Sequence, residues 1–149
     1  MTQEYKELLL KDICARLPYG VMVGYSGKDN PGTLDKIGRV IYVDTRFGTI
    51  QMQDGSGISY GLPPSETIKP YLRPMSSMTE EECIELDNIE ATIENISEVI
   101  PNVPYYIEVA SPKQIDWLNA NHFDYRGLIP KGLALEVTPD NNPYKDNNQ

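Results

Sequence analysis

Histidine is nearly absent from this chain: His122 stands alone among 149 residues, with two cysteines, one tryptophan and two phenylalanines. A single imidazole excludes any histidine-built metal cluster. Cys14 and Cys83 have no second cysteine or histidine at ligand spacing, so no metal or cofactor is expected. Two isolated thiols within helix patterns leave open one disulfide or two buried free thiols. A reducing cytosol favours the thiols, and a cytoplasmic place follows. No window holds 18 apolar residues, so no membrane span is expected. The opening MTQEYKELLL has no apolar core region and predicts no secretory signal. None of the serines sits in a G-x-S-x-G elbow. No Gly-Lys-Ser/Thr follows a glycine loop, and Gly55-Ser56-Gly57 is not followed by a helix that could cradle phosphate. Asp140-Asn141-Asn142 and Asp146-Asn147-Asn148 lack the calcium-loop order.

Basic residues are also missing from one stretch. Residues 79–110 carry nine acids and no Lys or Arg, whereas residues 1–78 are close to neutral, so the net charge of -9 is largely local. An isoelectric point near 4.5 argues against broad electrostatic binding to nucleic acid, which needs clustered cations. With 40% apolar and 23% charged residues, the composition is that of a polar folded domain with a modest core.

The hydrophobic pattern divides the chain. Thr2–Leu17 is predicted as a helix, with Leu9, Ile13 and Leu17 inward and Glu4, Lys6, Glu7, Lys11 and Asp12 outward; Pro18 ends it. From Tyr19 the period falls to two. Strands are predicted at 21–25, 36–44, 49–53 and 58–62, with a hairpin turn at Asp54-Gly55-Ser56-Gly57. Four short strands with tight turns predict a small SH3-like barrel over residues 18–74. After Pro63-Pro64, residues 65–72 read as a short helical turn. Thr79-Glu80-Glu81-Glu82 is a capping box, and Leu86, Ile89, Ile93, Ile96 and Ile100 continue it as an acidic amphipathic helix to residue 100. A strand at 103–109, a helix from Pro112 to Asn121 and a short strand at 133–137 complete the expectation. The fold class is therefore α+β, one compact domain over residues 1–137: N-terminal helix, SH3-like barrel, acidic amphipathic helix, and a C-terminal strand-helix-strand piece. Trp117, Phe123, Leu128 and Leu133 are expected to unite the two parts in one core. Residues 138–149, rich in Asn, Asp and Pro, read as a disordered tail.

Three stretches, KELLLKDICARLPYGV (6–21), IKPYLRPMSSMTEEE (68–82) and IDWLNANHFDYRGLIPKGLALE (115–136), together resemble a group of short proteins of unassigned function encoded by phages and mobile elements of anaerobic gut bacteria. The resemblance covers about a third of the chain. It implies a phage or mobile-element origin, hence the host cytoplasm, and no activity or catalytic residue.

His122, with Asp124 two residues on, has the elements of a general base oriented by a carboxylate, or of a small hydrolase or nucleotide-handling site. The plainer reading is an imidazole that satisfies backbone groups at a helix end, favoured by the helix's negative pole. Glu80 to Glu98 carry eight carboxylates in 19 residues; this is either a solvated helix face or a surface for a basic partner. Ten tyrosines against two phenylalanines suit interfaces, where tyrosine joins contact area to a hydroxyl. The leading expectation is a non-enzymatic protein-binding module with no catalytic residue, using Glu85, Glu90, Glu94 and Glu98 with Tyr42 and Tyr60, its partner a protein of basic character. The alternative is a nucleic-acid accessory protein whose barrel stacks bases on Tyr25, Tyr42 and Tyr60 beside Arg39 and Arg46.

Overall fold

A computed structural model describes residues 2–26, 33–55, 57–58, 68–89 and 111–145. Helix α1 (Gln3–Arg16) starts where the Thr2 hydroxyl accepts the Tyr5 amide at 3.1 Å. A 3-10 turn, Leu17–Tyr19, ends at Gly20, whose φ of +71° suits glycine. Strands β1 (Met22–Tyr25), β2 (Lys36–Asp44) and β3 (Thr49–Asp54) pair antiparallel in sequence, and β4 (Gly57–Ile58) adds to β3. Pairing of Asp54 with Gly57 places that hairpin where the turn residues predict it.

Residues 68–72, expected as a helical turn, instead form strand β5 (Ile68–Leu72), antiparallel to β1. Pro70 pairs opposite Val23 and has no N–H to exchange, so this is a non-hydrogen-bonded pair. The missing donor faces the other side, where β6 (Leu135–Glu136) pairs in parallel only from Tyr71 onward. Proline is tolerated because the neighbouring strand does not reach it.

The sheet order is β4-β3-β2-β1-β5-β6. The expected SH3-like closure is not found: among the described residues β4 and β6 lie at opposite edges of an open, mixed sheet. The architecture is α+β, with α1 against one sheet face. Leu9 and Ile13 of α1 join Val23, Tyr25, Val40, Ile50, Met52, Ile68 and Leu72 in the main core. The same stripe carries a surprise, since Asp12, expected outward, is fully buried with Arg16.

Helix α2 (Glu80–Asp87) keeps the full capping box, Thr79 accepting from the Glu82 amide and Glu82 from the Thr79 amide. It ends at Asp87 with Asn88 as C-cap and does not continue to residue 100 as one helix. Residues 90–110, including the strand expected at 103–109, lie outside the described set. Helix α3 (Pro112–Ala120) has a second capping box from Ser111 and Gln114. Leu86, Leu118, Phe123 and Tyr125 make a second core cluster, with Trp117 beside it, while Leu128 and Leu133 belong to the first. The single core expected of Trp117, Phe123, Leu128 and Leu133 is thus two. Cys14 is half-buried and Cys83 exposed, both as free thiols, so the burial expected of Cys83 fails. It sits on the solvent side of α2, next to exposed Ile84.

Candidate functional site

Alternation along the strands divides the sheet into a core face and an outer face. Val23, Val40, Ile50 and Met52 point to the core; Ile37, Arg39 and Gln53 point outward, with Arg39 opposite Gln53. A β-bulge between Val40 and Tyr42 inserts Ile41 as an extra residue. Without it Tyr42 would follow Val40 inward. With it, Tyr42 joins Gln51 on the outer face and Val43 packs on the core. On the β5–β6 side the outer face is covered: a Cβ at Gly24 would lie 2.8 Å from the Leu135 side chain and 3.5 Å from the Tyr71 ring. On the β2–β4 side no described residue covers it.

Between these two sides lies an open groove of about 1070 Å³. It is lined by Gly20, Ile37, Arg39 and Gln53 of the sheet side, by Asn121 and His122, and by Thr138, Asn142 and Tyr144. The His122 wall is built by long-range pairing. After β5, the Arg73 amide donates to the His122 carbonyl and the Asp124 amide to the Arg73 carbonyl, each at 2.8 Å. His122 turns the chain out of α3 with φ of +61°.

The second wall is the segment read as a disordered tail, and the structure overturns that reading for residues 138–145. Val137 donates to Leu72, Thr138 and Asn141 form a bridge, and Tyr144 anchors the segment. The Tyr144 ring stacks on His122 at 3.7 Å and 9°. Its hydroxyl accepts the Met22 amide at 3.0 Å and donates to the Tyr71 carbonyl at 2.7 Å. Continuing the β1–β5 register past Val23–Pro70 would bring Met22 opposite Tyr71. The phenol therefore takes the place of the next ladder bond, as a clasp between the two strands. Burial pushes its pKa up, so it stays a donor.

Behind the wall lies a buried charge cluster. Arg16 donates to Asp12 at 2.8 and 3.1 Å and to the Phe123 carbonyl at 2.6 Å, and Arg126 reaches Asp12 at 2.9 Å. Arg16 and Asp12 are 0% exposed. Two guanidinium groups thus share one carboxylate. Among the described residues, Arg16 Nη1 and His122 Nδ1 are buried without a partner. Neither Arg16 nor Tyr144 was expected at a site. An acid and a base four apart beside the Leu9–Ile13 stripe were the available signal for the first; one aromatic in a polar tail was the signal for the second.

This geometry corrects the expectations for His122. Asp124 does not orient it, because the two carboxylate oxygens accept the Leu128 and Ile129 amides at 2.8 and 2.9 Å. The ring does not cap backbone groups either; it stacks on Tyr144. Desolvation, with Arg16 and Arg73 nearby, depresses its pKa from 6.5 to about 4. That shift runs opposite to the pull toward the charged form expected of a helix C-terminus. The stacking platform expected of Tyr25, Tyr42 and Tyr60 is likewise not assembled. Tyr25 faces the core with its hydroxyl on Asp54, Arg46 lies over Phe47, and Tyr60 is outside the described residues. Tyr42 is 52% exposed and Glu85 is exposed on α2; Glu90, Glu94 and Glu98 are also outside the described set. No group of three or more His, Cys, Asp or Glu suited to a metal ion occurs among the described residues, and no described helix is long and apolar enough to cross a membrane. Comparison with protein-family models, curated proteins and solved structures finds no match.

The depressed imidazole makes folding acid-sensitive. An unfolded chain takes up this proton near 6.5 and the folded one only near 4, so stability falls as pH drops through that window and levels off below it. The loss is on the order of 2–3 kcal/mol. Glu82, held near 2 by hydrogen bonds from Arg73, adds a further loss as pH falls below its ordinary value of 4.5. Thermal midpoints measured from pH 7 to 4.5 should fall for the wild type and stay nearly flat for His122→Phe, which keeps the stacked ring without the titration.

Proposed function

We propose that this protein is a non-enzymatic binding module that engages a protein partner through the outer face of its sheet. The observation that carries the reading is the exposure of Ile37, Tyr42 and Ile58, at 45, 52 and 65%, on the face left uncovered by the described residues beyond β1. These apolar and aromatic side chains share one face with Arg39, Gln51 and Gln53, which lie between them in the register, and together make a mixed apolar and polar surface suited to a protein partner. The bulge that turns Tyr42 outward supports the same reading, since bulges re-aim side chains at sheet surfaces. Glu80, Glu81 and Glu85 on α2 have no basic residue in their helix and favour a partner with basic character. Glu82 is taken by Arg73 at 2.7 and 2.8 Å. A phage or mobile-element source, and action in the host cytoplasm, belong to this proposal.

The test is affinity capture from a lysate of an anaerobic gut bacterium, using wild type, the double variant Tyr42→Ser with Ile58→Ser, and the triple variant Glu80→Gln, Glu81→Gln and Glu85→Gln. All substituted side chains are exposed, so melting should be unchanged. The expected result is a protein retained by the wild type and lost from the double variant, with weaker, salt-sensitive retention by the triple variant. Retention of the same proteins by the double variant, or of none by any form, overturns the reading.

A further inference from the structure

We propose that the groove between the sheet and residues 137–145 is a binding site for a small oxyanion, a phosphate or carboxylate group carried on a polar molecule and received by Arg39.

Arg39 is the group in the lining best placed to act. It stands exposed on the outer face of β2 and has no ion-pair partner among the described residues. Its stem passes over Gly20, with Cδ 3.5 Å from where a Gly20 Cβ would stand. A guanidinium with a free planar fork is suited to bidentate oxyanion contact. The other charges of the lining are engaged: Arg73 pairs with Glu82, and Asp54 accepts the Tyr25 hydroxyl. Hydroxyl and amide side chains of Tyr19, Thr138 and Asn142 also line the groove and complete the shell of a polar ligand, while the Ser77 hydroxyl and the Asn121 amide donate to the Pro74 and Trp117 carbonyls.

Cations also lie near the groove wall, although the chain carries -9 overall: Arg16 and Arg126 share Asp12 behind His122, beside the buried Asp124 carboxylate. Burial is the main cause of the low His122 pKa, and Arg16 and Arg73 add to it. Arg16 Nη1 and His122 Nδ1 are the two buried nitrogens there without a partner among the described residues. The volume of about 1070 Å³ lies near the upper end for small-molecule sites; Ile37, Arg39 and Gln53 are shared with the sheet face assigned above to a protein partner, whereas Tyr42 and Ile58 lie outside the groove lining.

The single histidine gives a clean reporter, since one imidazole Hε1 resonance belongs to the groove wall. Inorganic phosphate, citrate and sodium chloride are titrated against the full chain by NMR at pH 7, following that resonance and the Gly20 amide. Saturable shifts at millimolar phosphate or citrate are expected, with at least about tenfold weaker binding in Arg39→Gln and an intermediate loss in Arg39→Lys, which keeps the charge without the fork. A response to phosphate alone assigns a phosphate-bearing ligand, and to citrate alone a carboxylate. Tyr42→Ser should leave the titration unchanged, which separates this site from the sheet-face interface. Absence of saturation, equal shifts with chloride, or equal affinity in Arg39→Gln overturns the proposal.

Discussion

Replacing Asp12 by alanine is expected to lower stability by about 3–5 kcal/mol. Asp12 is fully buried and lies within 2.8–3.1 Å of donors from Arg16 and Arg126. Its removal leaves Arg16, itself 0% exposed, without a countercharge, held by the Phe123 carbonyl and the Tyr125 ring. Arg126 is partly exposed and can turn to solvent; Arg16 cannot. For a chain of 149 residues the midpoint should fall by about 10 °C or more. Arg16→Met should cost less, because Asp12 keeps its contact with Arg126. The double variant Asp12→Leu with Arg16→Met should be more stable than Asp12→Ala alone, since it removes the stranded charge along with its partner. Thermal denaturation of the three variants decides the matter. A double variant no better than Asp12→Ala would show that lost packing, not unpaired charge, sets the cost.

Phe123→Ala should cost about 3–5 kcal/mol by a different route. Phe123 is 0% exposed at the centre of the second cluster. Its ring stacks on Trp117 at 5.7 Å, and the Arg73 guanidinium lies 4.1 Å from its centroid on its way to Glu82. One truncation therefore opens a cavity and removes the surface that steadies the Arg73–Glu82 pair joining β5 to α2. Trp117 is the only tryptophan in the chain, so its fluorescence should redden in the folded variant while the unfolding midpoint drops in denaturant. A midpoint within error of the wild type would mean that the cluster closes over the gap, which the rigidity of packed interiors opposes.

The elements legible in the sequence were those specified by neighbours in the chain. The Leu9–Ile13 stripe closed by Pro18, the β-branched run of β2, and the two capping boxes at Thr79 and Ser111 need no distant partner to be recognised. The readings that failed each depended on a residue far away. Ile68, Pro70 and Leu72 do alternate inward, yet proline reads as a breaker until β6 is known to begin at Tyr71. Asp12 looks like one more surface acid until Arg126 and the Phe123 carbonyl arrive from 107 or more residues away. Tyr42 was placed on a strand, but only the bulge decides which face it shows. In the candidate site, Arg39 and His122 were visible as chemistry, whereas the groove itself is made by Tyr144, whose polar surroundings in the sequence carry no packing signal.

The Tyr144 clasp has a consequence for how the molecule is made. When Tyr71 emerges from the ribosome, the hydroxyl that must accept from Met22 and donate to Tyr71 is still 73 residues behind it in the chain. At ordinary elongation rates of about 5–20 residues per second, that is a delay of roughly 4–15 s. Through that interval β1 and β5 can pair only as far as Val23 and Pro70, and the amide and carbonyl beyond them stay bound to water. Nascent chains halted between β5 and Tyr144 should therefore hold an unfastened seam at the middle of the sheet, where amide exchange at Met22 would report the moment of fastening.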